Sequence, residues 1–364
     1  RAIQNNLDWV WPYWVERQFN PEDVSFLPRG FAFSHVNLTH RNWTAVGRPD
    51  LPLYPIVDPR GMVTPFYDGW SLDFWLIPDR GEPMLPSRRA DIHQQLLLDP
   101  EPAVETFVDE ENLQLFCRVR LPSQQSPPTL VIDLRWRMQA PGRLALALRP
   151  YNPEGIQFIE SITPLPGKRG LRINAEGEIH WDRNAETVVF SNYADGDVIH
   201  RLDSETAAEG IKCPVGMATA AAVFRQSEDR NGRLEVQIPL GPDLRRQKVR
   251  LSGESANWDG LLADAARLRI PDVRMQFLYE AALRTLVLLS ADEAVPGPYT
   301  YRRFWFRDAC FMVHAMLSAG LIERCRRILA GFFQHQERSG YFRSQQGEWD
   351  SNGQVLWILD RFQQ

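Results

Sequence analysis

The chain has 364 residues, 44% of them hydrophobic, and a net charge of -5. That length holds about two domains of ~100–200 residues with a sizeable core, and the composition carries no disorder signature. The mild charge, spread without a basic run, argues against nucleic-acid binding, and no run of about 18 apolar residues exists to span a membrane. Of the 41 basic residues only Lys168, Lys212 and Lys248 are lysines, which disfavours Schiff-base chemistry. Cys117, Cys213, Cys310 and Cys325 lie far apart, with no zinc-ligand spacing and no disulfide pattern. The reading is a reducing, cytoplasmic compartment with no metal and no cofactor. The chain begins at Arg1 without a signal-peptide pattern, which leaves open a removed leader or a cut from a longer chain. The sequons at Asn37 and Asn42 read as chance matches.

Up to about Pro100 the sequence is rich in Trp, Pro and Gly, with a strand-like piece at Ser71–Ile77. The segment from Arg29 to Gly61 reads either as an ornate loop or as one that projects toward the mouth of the helical toroid expected further along the chain. From about Leu113 to Leu251 the period is that of strands. Leu113–Leu121 alternates, and so does Leu130–Met138 after an apolar start. The turn Ala140-Pro141-Gly142 and the run Leu144–Arg149 then read, with Leu130–Met138, as a hairpin. Further strands are expected at Val188–Asn192, Ala220–Phe224, Leu234–Ile238 and Val249–Leu251, which together predict an antiparallel β-sandwich.

After Ser252 the period becomes helical. Trp258–Arg269 predicts a linking helix, and Pro271 suits the first position of the next. Apolar residues at Val273, Phe277, Leu278, Ala281, Leu288 and Leu289 predict its buried face. Helices Asp308–Ser318 and Ile322–Arg338, broken near Gly320, follow, and a last one starts near Asn352 or Gly353. Helical hairpins with long loops are the unit of an α/α toroid. The expected organisation is therefore a β-sandwich over residues 1–255 and a linker helix with the first hairpins over residues 256–364.

Two loops carry the residues for chemistry. Tyr299–Asp308 combines Tyr301 and Trp305 with Arg307 and Asp308. Flat rings stack on the C–H face of a sugar, Arg supplies a planar fork of donors, and Asp supplies acceptors. The alternative for Asp308 is a helix N-cap, and for the rings core packing. Gly347–Gln354 offers Glu348, Trp349 and Asp350. Its alternative is a helix start capped by Asp350 or Ser351, with Ser351 and Gln354 as a capping box. There is no GxSxG, and His35 to His40 is not HExxH, so a serine nucleophile and a zincin are both unsupported.

The spacing Tyr301-x-x-x-Trp305-x-Arg307-Asp308 resembles the signature of glucoamylase-like, six-hairpin glycosidases. The stretch from Gly320 through Gly340, and Glu348–Gln354, are similar to that family's second hairpin and next loop. The resemblance covers about the last 100 residues. It implies a sandwich (supersandwich-like) before a partial toroid, and a glycoside hydrolase that acts on α-glucosidic bonds by inversion. It also implies an oligosaccharide or glucoside substrate held by Tyr301, Trp305, Arg307, Asp308, Trp349 and Asp350. The family's general acid and base sit on later hairpins, expected beyond Gln364, so the catalytic pair is not assigned. Glu348 and Asp350 are the carboxylates of the second loop, and neither is promoted to catalyst. A glycoside phosphorylase of the same plan and a non-catalytic carbohydrate-binding protein are the alternatives. The fragment by itself is expected to be inactive, and to self-associate through an open face around Leu356, Trp357 and Ile358.

Overall fold

A computed structural model describes residues 9–13, 15, 22, 43–153, 155–174, 177–204, 209–241, 257–299 and 301–364. The chain divides into two compact units. Arg1–Val46, Pro55–Leu97 and Pro102–Gln247 form the first, and Gly47–Tyr54, Leu98–Glu101 and Lys248–Gln364 the second. The strand expected at Val249–Leu251, both sequons and the His35 to His40 segment lie outside the described residues.

The first unit is built of antiparallel sheets. One runs in the order Thr44–Ala45, Ile56–Val57, Val63–Thr64, Ser71–Pro78, Gly142–Arg149, Thr219–Arg225, Thr187–Ser191. A second runs in the order Ile211–Lys212, Ser161–Pro164, Gly170–Ile173, Gly177–Trp181, Asn231–Pro239, Thr129–Met138, Leu113–Arg120, Ala103–Asp109, His93–Leu97, and Tyr151–Asn152 pairs with Gly155–Ile156 in a small third. In this second sheet, strands such as Leu113–Arg120 bury alternate residues, as a strand with one wet face must. In Gly142–Arg149, by contrast, Leu144, Ala145, Leu146, Ala147 and Leu148 are all fully buried. Where the sheets meet, Trp181 packs edge-on against Phe224, with ring centroids 5.6 Å apart.

The expected hairpin across Ala140–Gly142 is therefore not one. Thr129–Met138 pairs with Leu113–Arg120 and Asn231–Pro239, while Gly142–Arg149 pairs with Ser71–Pro78 and Thr219–Arg225. The turn carries the chain from one sheet to the other. The burial pattern gives the reason: a strand buried on both faces has no place beside one that keeps a row in water. Gly142 makes the corner possible, because a Cβ there would lie 2.8 Å from the Ile77 carbonyl and from the Met138 sulfur.

One charged group sits at the centre of this unit. Arg149 and Asp197 are both fully buried and form a two-pronged ion pair. The guanidinium also donates to the Tyr151 hydroxyl (2.9 Å) and the Val10 carbonyl (3.1 Å). Asp197 accepts from the Val10 and Ile199 amides at 2.7 and 3.1 Å. Burial opposes the charge on Arg149, but Asp197 outweighs it and raises the pKa above the usual arginine value. The rings of Trp9, Trp75 and Tyr151 face the cation within 5.2–5.5 Å.

The second unit is helical: α1 (Trp258–Leu262), α2 (Val273–Leu288), α3 (Phe306–Ser318), α4 (Ile322–Phe332) and α5 (Ser351–Gln363). The linking helix is shorter than its sequence suggests, because the Ala266 amide is drawn to the Ala319 carbonyl (2.8 Å) at the end of α3. Pro271 lies before the N-cap. Asp272 takes that place, its carboxylate accepting from the Arg274 and Met275 amides. The buried side chains of α2 are Leu283, Val287 and Leu288, whereas Val273, Phe277 and Leu278 are exposed. The apolar period therefore overstated the buried face at its start.

Gly320, at φ +83°, ends α3. The Gly320 amide donates to Leu317 and the Leu321 amide to Met316, closing both bonds of a Schellman motif. The side chain of Arg324, on α4, reaches the end of α2. It donates to the Ser290 and Val287 carbonyls at 2.7 and 3.3 Å and pairs with Asp50 at 2.9 Å. A cation there complements the helix's C-terminal carbonyls. α4 stops at Phe332, short of Arg338, because Glu337 and Tyr341 pair across the turn at Gly340. On α5, Ser351, Val355 and Ile358 turn inward and are buried while Leu356 is exposed, so the expected open face at Ile358 is not there.

Removal of one partner of the central ion pair leaves a buried charge alone. Arg149→Met should lower unfolding stability by about 3–5 kcal/mol. Replacement of both partners, Arg149→Met with Asp197→Leu, should recover most of that loss in urea unfolding. Equal stability of Arg149→Met and wild type would contradict the role of the pair.

Candidate saccharide-binding loops

Asp308 is not an N-cap. α3 begins two residues earlier, at Phe306, and Asp308 lies within its first turn. The reason is a residue from the other loop. Glu348, itself buried, accepts the Phe306 amide through Oε1 at 3.0 Å. Its Oε2 accepts the Ser344 amide at 2.9 Å and the Ser344 hydroxyl at 2.5 Å. A carboxylate satisfying an orphan N–H at a helix start is favourable by charge as well as by hydrogen bonding. With both oxygens engaged, Glu348 joins the two loops.

Around this joint the second loop is stitched to its own backbone. The Tyr341 hydroxyl donates to the Glu348 and Trp349 carbonyls at 3.1 and 2.9 Å. Asn352 accepts the Phe342 amide at 2.8 Å, and Ser351 donates to the Phe342 carbonyl at 2.5 Å. Ser351 therefore does not close a capping box, and Gln354 instead donates to Asp350 at 2.7 Å. Beneath the first loop, Phe304, Phe306 and Phe332 pack edge to face at 4.9–5.5 Å.

The polar groups expected to meet a ligand come together differently from their order in sequence. Arg307 pairs with Asp350, through both Nε and Nη2, rather than with its neighbour Asp308. Hydrogen bonds from Arg307 hold the Asp350 carboxyl below the usual range, and Asp350 in turn raises the Arg307 pKa. Tyr301 and Trp349 are 61% and 77% exposed, so both present ring surface to solvent rather than to a core. Trp305 is half-buried, and the guanidinium of Arg303 lies over it at 5.3 Å.

Three buried polar atoms here lack hydrogen-bond partners: the indole Nε1 of Trp305, the Nε of Arg343 and the Oε1 of Gln354. The first two are donors and the third an acceptor, and Gln354 is bonded to the same carboxylate that Arg307 holds. Arg343 is the residue the sequence reading missed. Its guanidinium lies over Tyr341 at 5.1 Å and Trp349 at 5.7 Å, fixing the exposed indole from behind. A Tyr-Phe-Arg run eight residues before a loop Trp carried no motif to flag it. Cys310, beside Glu348, is buried and its thiol is pushed up to about 12 by burial and then by that carboxylate, so it is inert as a nucleophile.

Glu348→Gln replaces one accepting oxygen with a donor that faces an amide donor. Protection of the Phe306 and Ser344 amides from hydrogen exchange should fall at least about tenfold, as expected for a buried hydrogen bond left unmade. Unchanged protection at both amides would show that Glu348 does not organise the loops.

No family model and no curated protein sequence matches the chain. Among solved structures, the chain is similar to a bacterial glucoamylase complexed with acarbose, with a TM-score of 0.65 at 11% identity. The match covers 89% of this chain and 56% of that one, so the chain spans a little over half the glucoamylase's length. A kojibiose phosphorylase from the human microbiome aligns at a TM-score of 0.45 and 4% identity, over 89% of this chain and 49% of that one. A family GH92 inverting mannosidase from Bacteroides thetaiotaomicron aligns at 0.32 and 9%, over 68% and 37%. Over the part of the glucoamylase that it covers, the chain has the same fold.

Proposed function

We propose that the chain is part of a carbohydrate-active enzyme, a glycoside hydrolase acting on α-glucosidic bonds by inversion. Residues 1–255 are its β-sandwich, and residues 256–364 the linker and first hairpins of an (α/α) toroid. The shared fold with a glucoamylase supports this architecture. The four buried, unpaired thiols accord with a reducing, cytoplasmic compartment.

The observation that carries the sugar-binding reading is the set of groups left unsatisfied where the loops meet. Trp305 Nε1 needs an acceptor and Gln354 Oε1 needs a donor. A sugar hydroxyl is both at once. The Arg307–Asp350 pair adds a charged donor and a charged acceptor, and the exposed faces of Tyr301 and Trp349 suit pyranose C–H groups. Asp308, in the first turn of α3, completes the set.

In this reading these residues hold a sugar and do not break its bond. Glu348 has both oxygens committed to the loop joint, and Asp350 is held as a carboxylate by Arg307. Neither is free to protonate a leaving oxygen, which an inverting general acid must do. The acid and the water-activating base are therefore other residues.

The test is binding of maltotriose to the chain, followed by tryptophan fluorescence. Arg307→Ala removes a charge-assisted contact and should weaken binding at least about tenfold. Trp349→Ala should also weaken it. Affinity should stay flat as pH falls to about 5, because Asp350 titrates below the ordinary aspartate value of about 3.9. It should drop only as pH passes through that lowered value and Asp350 is neutralised. Wild-type affinity in Arg307→Ala would overturn the assignment.

A further inference from the structure

A second collection of unsatisfied groups lies in the first unit, at one end of the nine-stranded sheet. There a groove of about 810 Å³ is lined by aromatic rings and arginines. Phe107 and Phe116 pack at 5.1 Å on neighbouring strands, and the Arg135 guanidinium lies over Phe116 at 5.6 Å. Trp136 is almost fully buried, and the Arg183 guanidinium lies over its ring at 5.2 Å. Gly232 is required opposite Trp136, since a Cβ there would meet the indole at 2.0 Å.

The charges of this groove do not balance within the protein. Elsewhere on the sheet, arginines have carboxylate partners: Arg118 with Glu105, Arg120 with Asp133, Arg172 with Glu178. At the groove, Arg135 stands directly opposite Arg233 on the neighbouring strand, and both are exposed. Like charges directly opposite one another destabilise a strand pair. Arg137 follows one outward position along. Two carboxylates line the groove, Asp109 and Asp229, but these accept from Gln114 and from Ser227 and Asn231. Among the described residues, none of Arg135, Arg137, Arg183 and Arg233 is in an ion pair.

The unmet hydrogen bonds have one sign as well. The buried atoms without partners that line the groove are Trp136 Nε1 and Arg183 Nη2, both donors. The helical loops differ, since they leave an acceptor, Gln354 Oε1, as well as donors. Burial also lowers the Arg183 pKa, a cost that a bound anion would offset.

We propose that this groove is a second ligand site, which takes a saccharide bearing an oxyanion, either a phosphate ester or a carboxylate. The oxyanion sits between Arg135 and Arg233, where it relieves their repulsion. The ring sits against the aromatic residues, and the Trp136 and Arg183 N–H groups donate to it. The site is independent of the loops around Glu348, so its test does not depend on theirs.

The experiment is calorimetric titration of the chain with glucose 6-phosphate, with a glucuronic acid-terminated disaccharide, and with inorganic phosphate. Saturable binding of either saccharide is expected, and the two arms tell the phosphate ester from the carboxylate. Arg135→Gln with Arg233→Gln should weaken that binding at least about tenfold, in line with lost charge-assisted hydrogen bonds, while Arg307→Ala leaves it unchanged. Arg233→Gln alone should raise the melting temperature of the ligand-free chain, because it removes a like-charge pair from a folded surface. It should also abolish the ligand-induced rise in melting temperature. Failure of both saccharides to bind, or unchanged affinity in the double variant, overturns the site. Inorganic phosphate binding as tightly as either saccharide overturns its saccharide part.

Discussion

The carboxylate of Glu348 is the pin that joins the two loops of the helical unit. It is buried, it caps the first amide of α3, forty-two residues before it in sequence, and it fixes Ser344, four residues before it in its own loop. Without that joint, Arg307 on α3 and Asp350 before α5 have no shared frame. Their ion pair is exposed, and an exposed pair contributes little stability by itself. Its geometry is thus a consequence of the buried cap rather than its cause. The same cap sets α3 in register, which leaves Trp305 just outside the helix and Asp308 inside its first turn.

The two proposed sites differ in what they lack, and on that difference rests the proposal of a different ligand for each. At the loops, an acceptor as well as donors is unmet beside a neutralised Arg–Asp pair, a combination suited to hydroxyls. In the groove, only donors are unmet, and arginines face one another across strands. Buried polar groups without partners cost free energy comparable to a lost hydrogen bond. Other such groups are scattered through the described residues, but at these two places they gather beside aromatic rings and arginines, which is the setting a ligand of the complementary kind would satisfy.

Much of this was legible in the sequence, because local periodicity survives in the fold. The alternation in Leu113–Arg120 reports its one wet face, and the helical period after Ser252 reports α2 to α5. What failed did so where a distant residue overrides a local signal. Ala140-Pro141-Gly142 looks like a hairpin turn, yet the uninterrupted burial of Leu144–Leu148 assigns the next strand to the other sheet. Asp308 has the chemistry of an N-cap, but Glu348 does that work from the other loop. Likewise Arg307 sits next to Asp308 in sequence and pairs with Asp350 in space. The facing of Arg135 and Arg233 needs a strand register that no window of sequence contains.

The most direct test of the account is the indole N–H resonance of Trp305 during a titration of the chain with maltotriose, observed by proton–nitrogen correlation NMR. Trp305 Nε1 is buried and without a partner, so a hydroxyl that accepts from it should move that resonance downfield in a saturable way. The Trp349 resonance should shift with the same midpoint, and Arg307→Ala should displace both midpoints to higher ligand concentration. Saturable binding with the Trp305 and Trp349 resonances unmoved would contradict the account, because the sugar would then be held somewhere other than the loops joined by Glu348.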